Sequence, residues 1–429
     1  MHRGQRTLIL FNHDWDVAGF ARQPDAAWHD SRGFDLFSFP SNVALAWFDF
    51  DRFTRRLAAE ATRRRWGAVT SSHEQFGALA AALVAERLGW PGTPVDAVLA
   101  CQHKLHAREV LAQVAPEATP AYQVLDARYG APAPAGLDYP QFVKPVKAAF
   151  SVLARTVHSR EELHAHTRFG RRELWIIRRL VEPFERVAHQ RLRPRHSAHR
   201  LMLEEPVAGL QYNLDGYVFQ GQAHAVGVVD AVMYPGTHAF MRFDLPSHLD
   251  PAVQQRALDV AQRFLAAVGF THGLFNMEFF HDPATDRLSV IEFNPRMAAQ
   301  FSDLYLRVLG LDLHAVALAL ARGQDPAHMP RHAPTAGAAS SLVYRSFGTA
   351  QPAPPEPNGA QRQALAQAFP DALLFTFPKQ GAGLARDHKW LGSHRYGIVH
   401  LGGRDAADLR GRGERASQLL GWPAPFGEL

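Results

Sequence analysis

Two short runs in the second half of the chain, Gly273 to Phe280 and Arg287 to Arg296, place carboxylates among apolar residues. Glu278 lies between Met277 and Phe279, and Glu292 lies between Ile291 and Phe293. The connecting segment His281 to Asp286 contains Asp282-Pro283 and Asp286, which predicts a turn joining two antiparallel strands. A turn centred near Thr285 sets Glu278 directly opposite Glu292. Asn294 then falls on the same face, because strand side chains repeat every second residue. Like charges facing each other on a strand pair destabilise it and push one pKa upward, so the arrangement asks for a cation. Two carboxylates and an amide oxygen are hard donors that suit Mg²⁺ or Mn²⁺, and so small a set leaves positions for phosphate oxygens and water. His272 and His281 flank the hairpin, but without a Cys/His cluster they do not indicate a soft metal.

Positive charge is carried almost wholly by Arg, against which Lys104 and Lys144 stand out. A compact ammonium at a fixed point suits phosphate oxygens. Arg296, two residues beyond Asn294, is expected to project from the end of the metal-bearing strand, placed to pair with a substrate carboxylate or stabilise an acyl phosphate. Turn formers and aromatics from Asp230 to Pro246 mark the expected acceptor pocket.

Several elements must hold these groups. Strands are expected at Thr7 to Phe11, Phe34 to Phe39 and Ala68 to Thr70, with helices at Asp51 to Trp66 and Gln75 to Leu88. This describes an α/β unit with a mostly parallel sheet. One helix is expected from Val95 to Val114, stopped by Pro116 and Pro120. A small α+β unit follows, with strands at Gln141 to Val146, Leu153 to Val157 and Glu173 to Val181 and a helix at Ser159 to Arg168. A basic, Pro-interrupted excursion is expected from Arg178 to Arg200. A larger α+β unit carries strands near Leu203, Tyr212 to Phe219, Ala223 to Val232, and the carboxylate hairpin, with a helix from Pro251 to Val268. Helical texture from Leu304 to Arg322 leads to a linker at Asp325 to Ala338 and a small β-rich piece. The expected divisions are 1–115, 116–207, 208–325 and 326–429.

The 429 residues, 47% apolar and 20% charged, are enough for several cores. The single Cys101 forbids an intrachain disulfide, and no stretch approaches the ~18 apolar residues of a membrane span, so a reducing cytoplasm without a membrane partner is expected. A net charge of +5 does not by itself call for nucleic acid; an anionic small molecule fits equally well, and no nucleic-acid partner is expected.

Lys104 with Arg108, Phe142-Val143-Lys144-Pro145, Leu203 to Gly209, Met277-Glu278-Phe279 and Ile291 to Arg296 form an ordered set that resembles the ATP-grasp carboxylate-amine ligases over about residues 100 to 310. The resemblance implies an N-terminal α/β domain, two α+β subdomains that clasp ATP, and a small β-rich C-terminal appendage. It makes Lys104 and Lys144 the phosphate contacts, and Glu204, Glu205, Pro206 and Val207 the adenine hinge. Glu278, Glu292 and Asn294 become the Mg²⁺ ligands, and Arg296 the catalytic arginine. The loop after Lys144 becomes a phosphate flap, glycine-poor here, with Ser151 as its phosphate contact. Where such ligases often have a ribose-binding Glu, this chain has Gln211.

The implied reaction activates a carboxylate as an acyl phosphate and joins it to an amine, releasing ADP and phosphate. The partners would be small-molecule carboxylate and amine substrates, and such enzymes often assemble as homodimers. Two alternatives use the same residues: a carboxylating or formylating enzyme, and a protein that holds ATP without turnover.

Overall fold

The computed structural model describes residues 5–36, 40–125, 133–148, 153–348 and 352–426. Within them the strands form sheets of three, four and eight. The first is parallel, β2-β1-β3, from β1 (Arg6–Leu10), β2 (His29–Arg32) and β3 (Trp66–Thr70). Its middle strand reads as a continuous apolar run because both faces are covered. The strand expected at Phe34 to Phe39 does not form at 34–36, and 37–39 lie outside the described residues. Pairing falls instead to polar His29–Arg32, an edge strand anchored by Asp30, which accepts from Trp66 Nε1 (2.7 Å) and pairs with Arg6 (2.9 Å). Phe34 packs edge-on against Phe11 and Phe48.

The helix expected from Val95 to Val114 is two helices, Val95–Gln102 and Lys104–Val114. They break at His103, whose Nδ1 accepts from the His106 N–H (3.2 Å) and caps the second. The break puts Lys104 in a first helical turn, where a cation opposes the helix dipole unless an anion answers it.

The four-stranded antiparallel sheet, β4-β7-β5-β6, contains β4 (Tyr122–Leu125), β5 (Gln141–Pro145), β6 (Arg155–Val157) and β7 (Leu201–Glu204). The strand expected at Glu173 to Val181 and much of the irregular basic excursion are instead one helix, Arg171–Arg191. Its buried residues Ile177, Val181, Phe184 and Ala188 recur at helical spacing and join the core beneath the first sheet, so its arginines occupy the remaining faces. Glu173 caps its start by accepting from the Gly170 N–H (2.8 Å).

The large sheet holds β8 (Leu210–Phe219), β9 (Gln222–Met233), β10 (Phe240–Leu245), β11 (Gly273–Asp282), β12 (Arg287–Asn294), β13 (Ala338–Ser346), β14 (Leu373–Thr376) and β15 (His394–Gly403). Their order is β12-β11-β8-β9-β10-β13-β15-β14. The Asp230 to Pro246 stretch is largely the β9–β10 hairpin rather than a loop. The last three strands have an apolar core of their own, including Tyr344, Val399, Leu420 and Trp422, yet they extend the large sheet through the β10–β13 pairing. Helix Pro251–Ala267 covers the back of β8, β11 and β12, with Phe264 stacked on Phe293 at 3.9 Å. The helical texture after Leu304 divides into Ser302–Leu309 and Leu313–Ala321, turning at Gly310 (φ 65°). Among the described residues no single helix is long and apolar enough to cross a membrane.

Candidate active site

The β11–β12 ladder pairs Glu278 with Glu292 and Asn276 with Asn294, the expected pairs, but reaches them through a one-residue bulge: from Phe279 to the turn the register is offset, Phe279 pairing with Val290 and Ile291 left over. On the other side β8 pairs Asn213 with Glu278 and Asp215 with Asn276. Alternation therefore builds one polar face from three strands: Gln211, Asn213 and Asp215, then Asn276 and Glu278, then Glu292 and Asn294. Tyr212, Leu214, Met277, Phe279 and Phe293 point the other way, into the core.

The amides order this face. Gln211 Nε2 donates to Glu278 Oε2 (3.0 Å), and Asn294 Nδ2 donates to Glu278 Oε1 (3.3 Å) and to Asn276 Oδ1 (3.2 Å). Asp215 accepts from Asn276 Nδ2 (3.2 Å), the Ala298 N–H (3.2 Å) and the Tyr305 hydroxyl (2.9 Å). Lys104 Nζ pairs with Glu292 at 2.7 Å, which supplies the anion that its helix position requires. Burial and the facing Glu292 charge push Glu278 above the ordinary carboxylate range. Burial alone would raise Glu292 as well, but Lys104, Lys144 and Arg296 outweigh it and hold it low. The donors are two opposed carboxylates and an amide, and no group of three His, Cys, Asp or Glu side chains placed to hold a metal occurs among the described residues. This chemistry fits a hard divalent cation that shares its remaining positions with phosphate oxygens.

A second charged cluster lies behind. Glu204, at the end of β7, is fully buried and pairs with both Lys144 Nζ (2.7 Å) and Arg108 Nη2 (2.7 Å). Arg108 also donates to the carbonyls of Val290 (2.7 Å) and Ile291 (3.0 Å), and Lys144 donates to that of Ile291 (3.2 Å). Burial holds Lys144 below its usual value despite Glu204. This knot ties helix Lys104–Val114, β5 and β7 to the main chain of β12 one residue before Glu292. The Glu204 side chain is thus committed internally. Glu205 accepts from the Ala121 N–H (3.1 Å) and pairs with Arg287 (2.6 Å), and its own N–H donates to the Ala121 carbonyl (2.9 Å). Pro206 and Val207 continue the chain towards β8.

Arg296 meets a residue that the sequence did not single out. Glu74, in the segment after β3, pairs with Arg296 Nε (3.0 Å), lies 3.8 Å from Lys147 Nζ, and accepts from Gln102 Nε2 (3.1 Å). Burial pulls Lys147 down to about 8, against the opposing pull of Glu74. A cavity of about 60 Å³ lined by Thr70, Ser71, Thr93, His272, Arg296 and Met297 adjoins this group. Ser151 lies outside the described residues. The polar face also includes Asn213, Asp215 and Asn276, which the sequence reading passed over. The alternation Gln211-Tyr212-Asn213-Leu214-Asp215 is the signal that marks a third strand of the same face.

No family model matches the sequence. Carnosine synthase 1 of Gallus gallus is 29% identical over 263 residues, 59% of this chain, which spans only 27% of that relative's length. Among solved structures, an L-amino acid ligase from Bacillus licheniformis superposes with a TM-score of 0.66 at 14% identity, covering 98% of each chain. A carboxyaminoimidazole ribonucleotide synthase from Aspergillus clavatus, complexed with ATP, superposes with a TM-score of 0.64 at 14% identity, covering 97% of this chain and 98% of that one. The arrangement of sheets around the opposed carboxylates is therefore the ATP-grasp fold.

Proposed function

We propose that this chain is an ADP-forming ligase that activates a carboxylate with ATP and joins it to an amine. The observation that carries this reading is Glu278 set opposite Glu292, with Lys104 on the outer carboxylate. The names of the carnosine synthase and of the amino acid ligase support the same chemistry. Glu278, Glu292 and Asn294 would hold Mg²⁺ or Mn²⁺, which supplies charge neutralisation along the phosphate chain.

In this reading Lys104 and Lys144 contribute positive potential to the ATP phosphates, Lys144 from beneath while it remains paired with Glu204. Ser151 belongs to the flap. The backbone of Glu205 to Val207 reads the adenine edge, since Glu204 is engaged elsewhere, and Gln211 approaches the ribose. A substrate carboxylate oxygen attacks the γ-phosphorus and ADP leaves. The amine nitrogen then attacks the acyl carbon, inorganic phosphate leaves, and the amine proton passes to solvent. Arg296, held ready by Glu74, neutralises charge on the acyl phosphate.

The chain divides in this reading into an N-terminal α/β domain (1–115), a lid (116–207), a metal-bearing subdomain (208–325) and a C-terminal part (326–429). A cytoplasmic setting and a homodimer go with it. The test is ADP release from Mg·ATP with pairs of carboxylates and amines in bicarbonate-free buffer, with products weighed by mass spectrometry. Amine-dependent ADP and a condensed product are expected. ADP formed only with bicarbonate would assign a carboxylating enzyme, and no ADP with any pair would reject the ligase.

A further inference from the structure

Arg345 on β13 and Arg395 on β15 face each other across one rung of the large sheet. They do so because the register slips: Tyr344 pairs with Gly397 but Arg345 pairs with Arg395, which leaves Tyr396 over in a bulge. Without the slip Arg345 would stand opposite Tyr396. Alternation puts Arg345 on the face of Val343, which belongs to the core that also holds Trp15, Phe243 and Met297, whereas Tyr344 and Tyr396 belong to the core on the other side. The arginines therefore lie on the side of the sheet that this core covers, a core to which the residue after Arg296 also contributes.

Two guanidiniums opposed on a sheet repel, and burial makes the repulsion worse. Among the described residues neither arginine forms an ion pair with a carboxylate. Arg345 donates from Nε to the Phe240 carbonyl (3.1 Å) and from Nη1 to Ser393 Oγ (3.0 Å). Arg395 lies against rings, its guanidinium carbon 4.4 Å from the centre of Phe377 and 5.8 Å from that of Trp15. The carboxylates close enough to act on Arg395 are Asp387 and exposed Asp14, and Asp387 is already shared by Lys379 (3.0 Å) and His394 (3.0 Å). Burial pulls both arginines down to about 10, and for Arg395 the charge of Arg345 adds to it. Both remain partly open to solvent. His13, stacked on His73, lies within electrostatic reach of Arg395 and of Arg296 alike.

We propose that Arg345 and Arg395 form the subsite that holds the carboxylate of the amine-bearing substrate, so that the second substrate is an amino acid. This rests on the ligase reading above. Two guanidiniums across a strand pair present paired donors to the two oxygens of one carboxylate. The bound anion also cancels a repulsion that the protein leaves standing.

The test compares Arg345→Gln and Arg395→Gln with the unaltered chain in two measurements. In the first, ADP release is driven by a panel of amino acids and by their carboxamides. The preference for acid over matching carboxamide in kcat/KM is expected to fall about tenfold or more in each variant; an unchanged ratio overturns the subsite. In the second, thermal unfolding without ATP is followed with the same acids, the carboxamides and inorganic phosphate. The unaltered chain is expected to be stabilised by acids and not by carboxamides, and the variants to lose that shift. Stabilisation by phosphate alone, or an equal shift in variant and unaltered chain, overturns the proposal. If no amine drives ADP release, the ligase reading fails while the thermal shift still decides the subsite. Should a glutamine variant not fold, Arg395→Lys, which keeps the charge and loses the fork, is read in the same two assays and is expected to lose part of the preference.

Discussion

Neighbouring residues of β12 belong to two charged regions with opposite accounts. The Ile291 carbonyl accepts from Arg108 and Lys144, and both cations close on one buried carboxylate, Glu204, so every charged group there has a partner of opposite sign and its hydrogen bonds are met within the protein. One residue on, Glu292 faces Glu278, and Lys104 is the cation paired with them among the described residues. The knot is complete as it stands. The acidic face instead sets two carboxylates against each other, a repulsion that Lys104, Lys144 and Arg296 moderate and that a bound cation would relieve. A satisfied buried cluster positions the chain, whereas an unsatisfied one beside it marks where a ligand is expected.

This contrast can be attacked from either side. Glu292→Gln or Glu278→Gln removes one of the opposed carboxylates. ADP release should drop about a hundredfold or more, while the thermal midpoint in chelator holds or rises for Glu278→Gln and falls for Glu292→Gln, which strips Lys104 of its partner; retained turnover would break the metal assignment. Glu204→Ala leaves Arg108 and Lys144 buried without a counter-ion. Urea titration should reveal a loss of about 3–5 kcal/mol, and a negligible loss would mean that the knot holds nothing together.

Asp215, at the margin of the acidic face, is pushed up to about 7 by burial. The folded protein keeps a proton that the unfolded chain, with an ordinary value of about 3.9, has already released. Its stabilising contribution is therefore complete in acid and is lost as pH climbs towards 7. Asp215→Asn removes that dependence, so the stability of the variant relative to the unaltered chain should improve between about pH 5 and about pH 8. Urea midpoints that differ by a constant amount would contradict this. The smallest effect concerns Gln211→Glu, which replaces a donor 3.0 Å from Glu278 with a further carboxylate. A midpoint lowered by about a few degrees in chelator and recovered with Mg²⁺ is expected; recovery without metal would argue against a cation on this face.

The carboxylate hairpin was legible because two strong signals coincide, a Pro/Asp turn and apolar neighbours on both sides of each glutamate. Glu278 meets Glu292 as read, but by way of a bulge at Ile291 that no local signal announces: nearer the turn Phe279 pairs with Val290 and Phe280 with Ser289, a register that by itself would set Glu278 opposite Ile291. Helix Arg171–Arg191 was not legible in the same way. Trp175, Ile176 and Ile177 carry strand propensity, and only the recurrence at Ile177, Val181, Phe184 and Ala188 reveals the helix that tertiary packing selects. Glu74 gave no local signal at all. Its partners Lys147 and Arg296 lie 73 and 222 residues away, so its role exists only once the chain has folded. The edge strand His29–Arg32 escaped notice because an edge needs no apolar run, and the break at His103 because its capping ring nitrogen is not among the usual helix-start residues.

The pairing of β10 with β13 carries a consequence for how the chain can be cut. Severing it in the stretch from Asp325 to Ala338 would strip β10 of its β13 neighbour along Arg242 to Leu245, baring a row of amide and carbonyl groups. Such a border recruits other strands, so the shortened product would tend to clump rather than persist as a minimal nucleotide-binding core. The final hundred residues are in this sense the selvedge that keeps the large sheet from fraying.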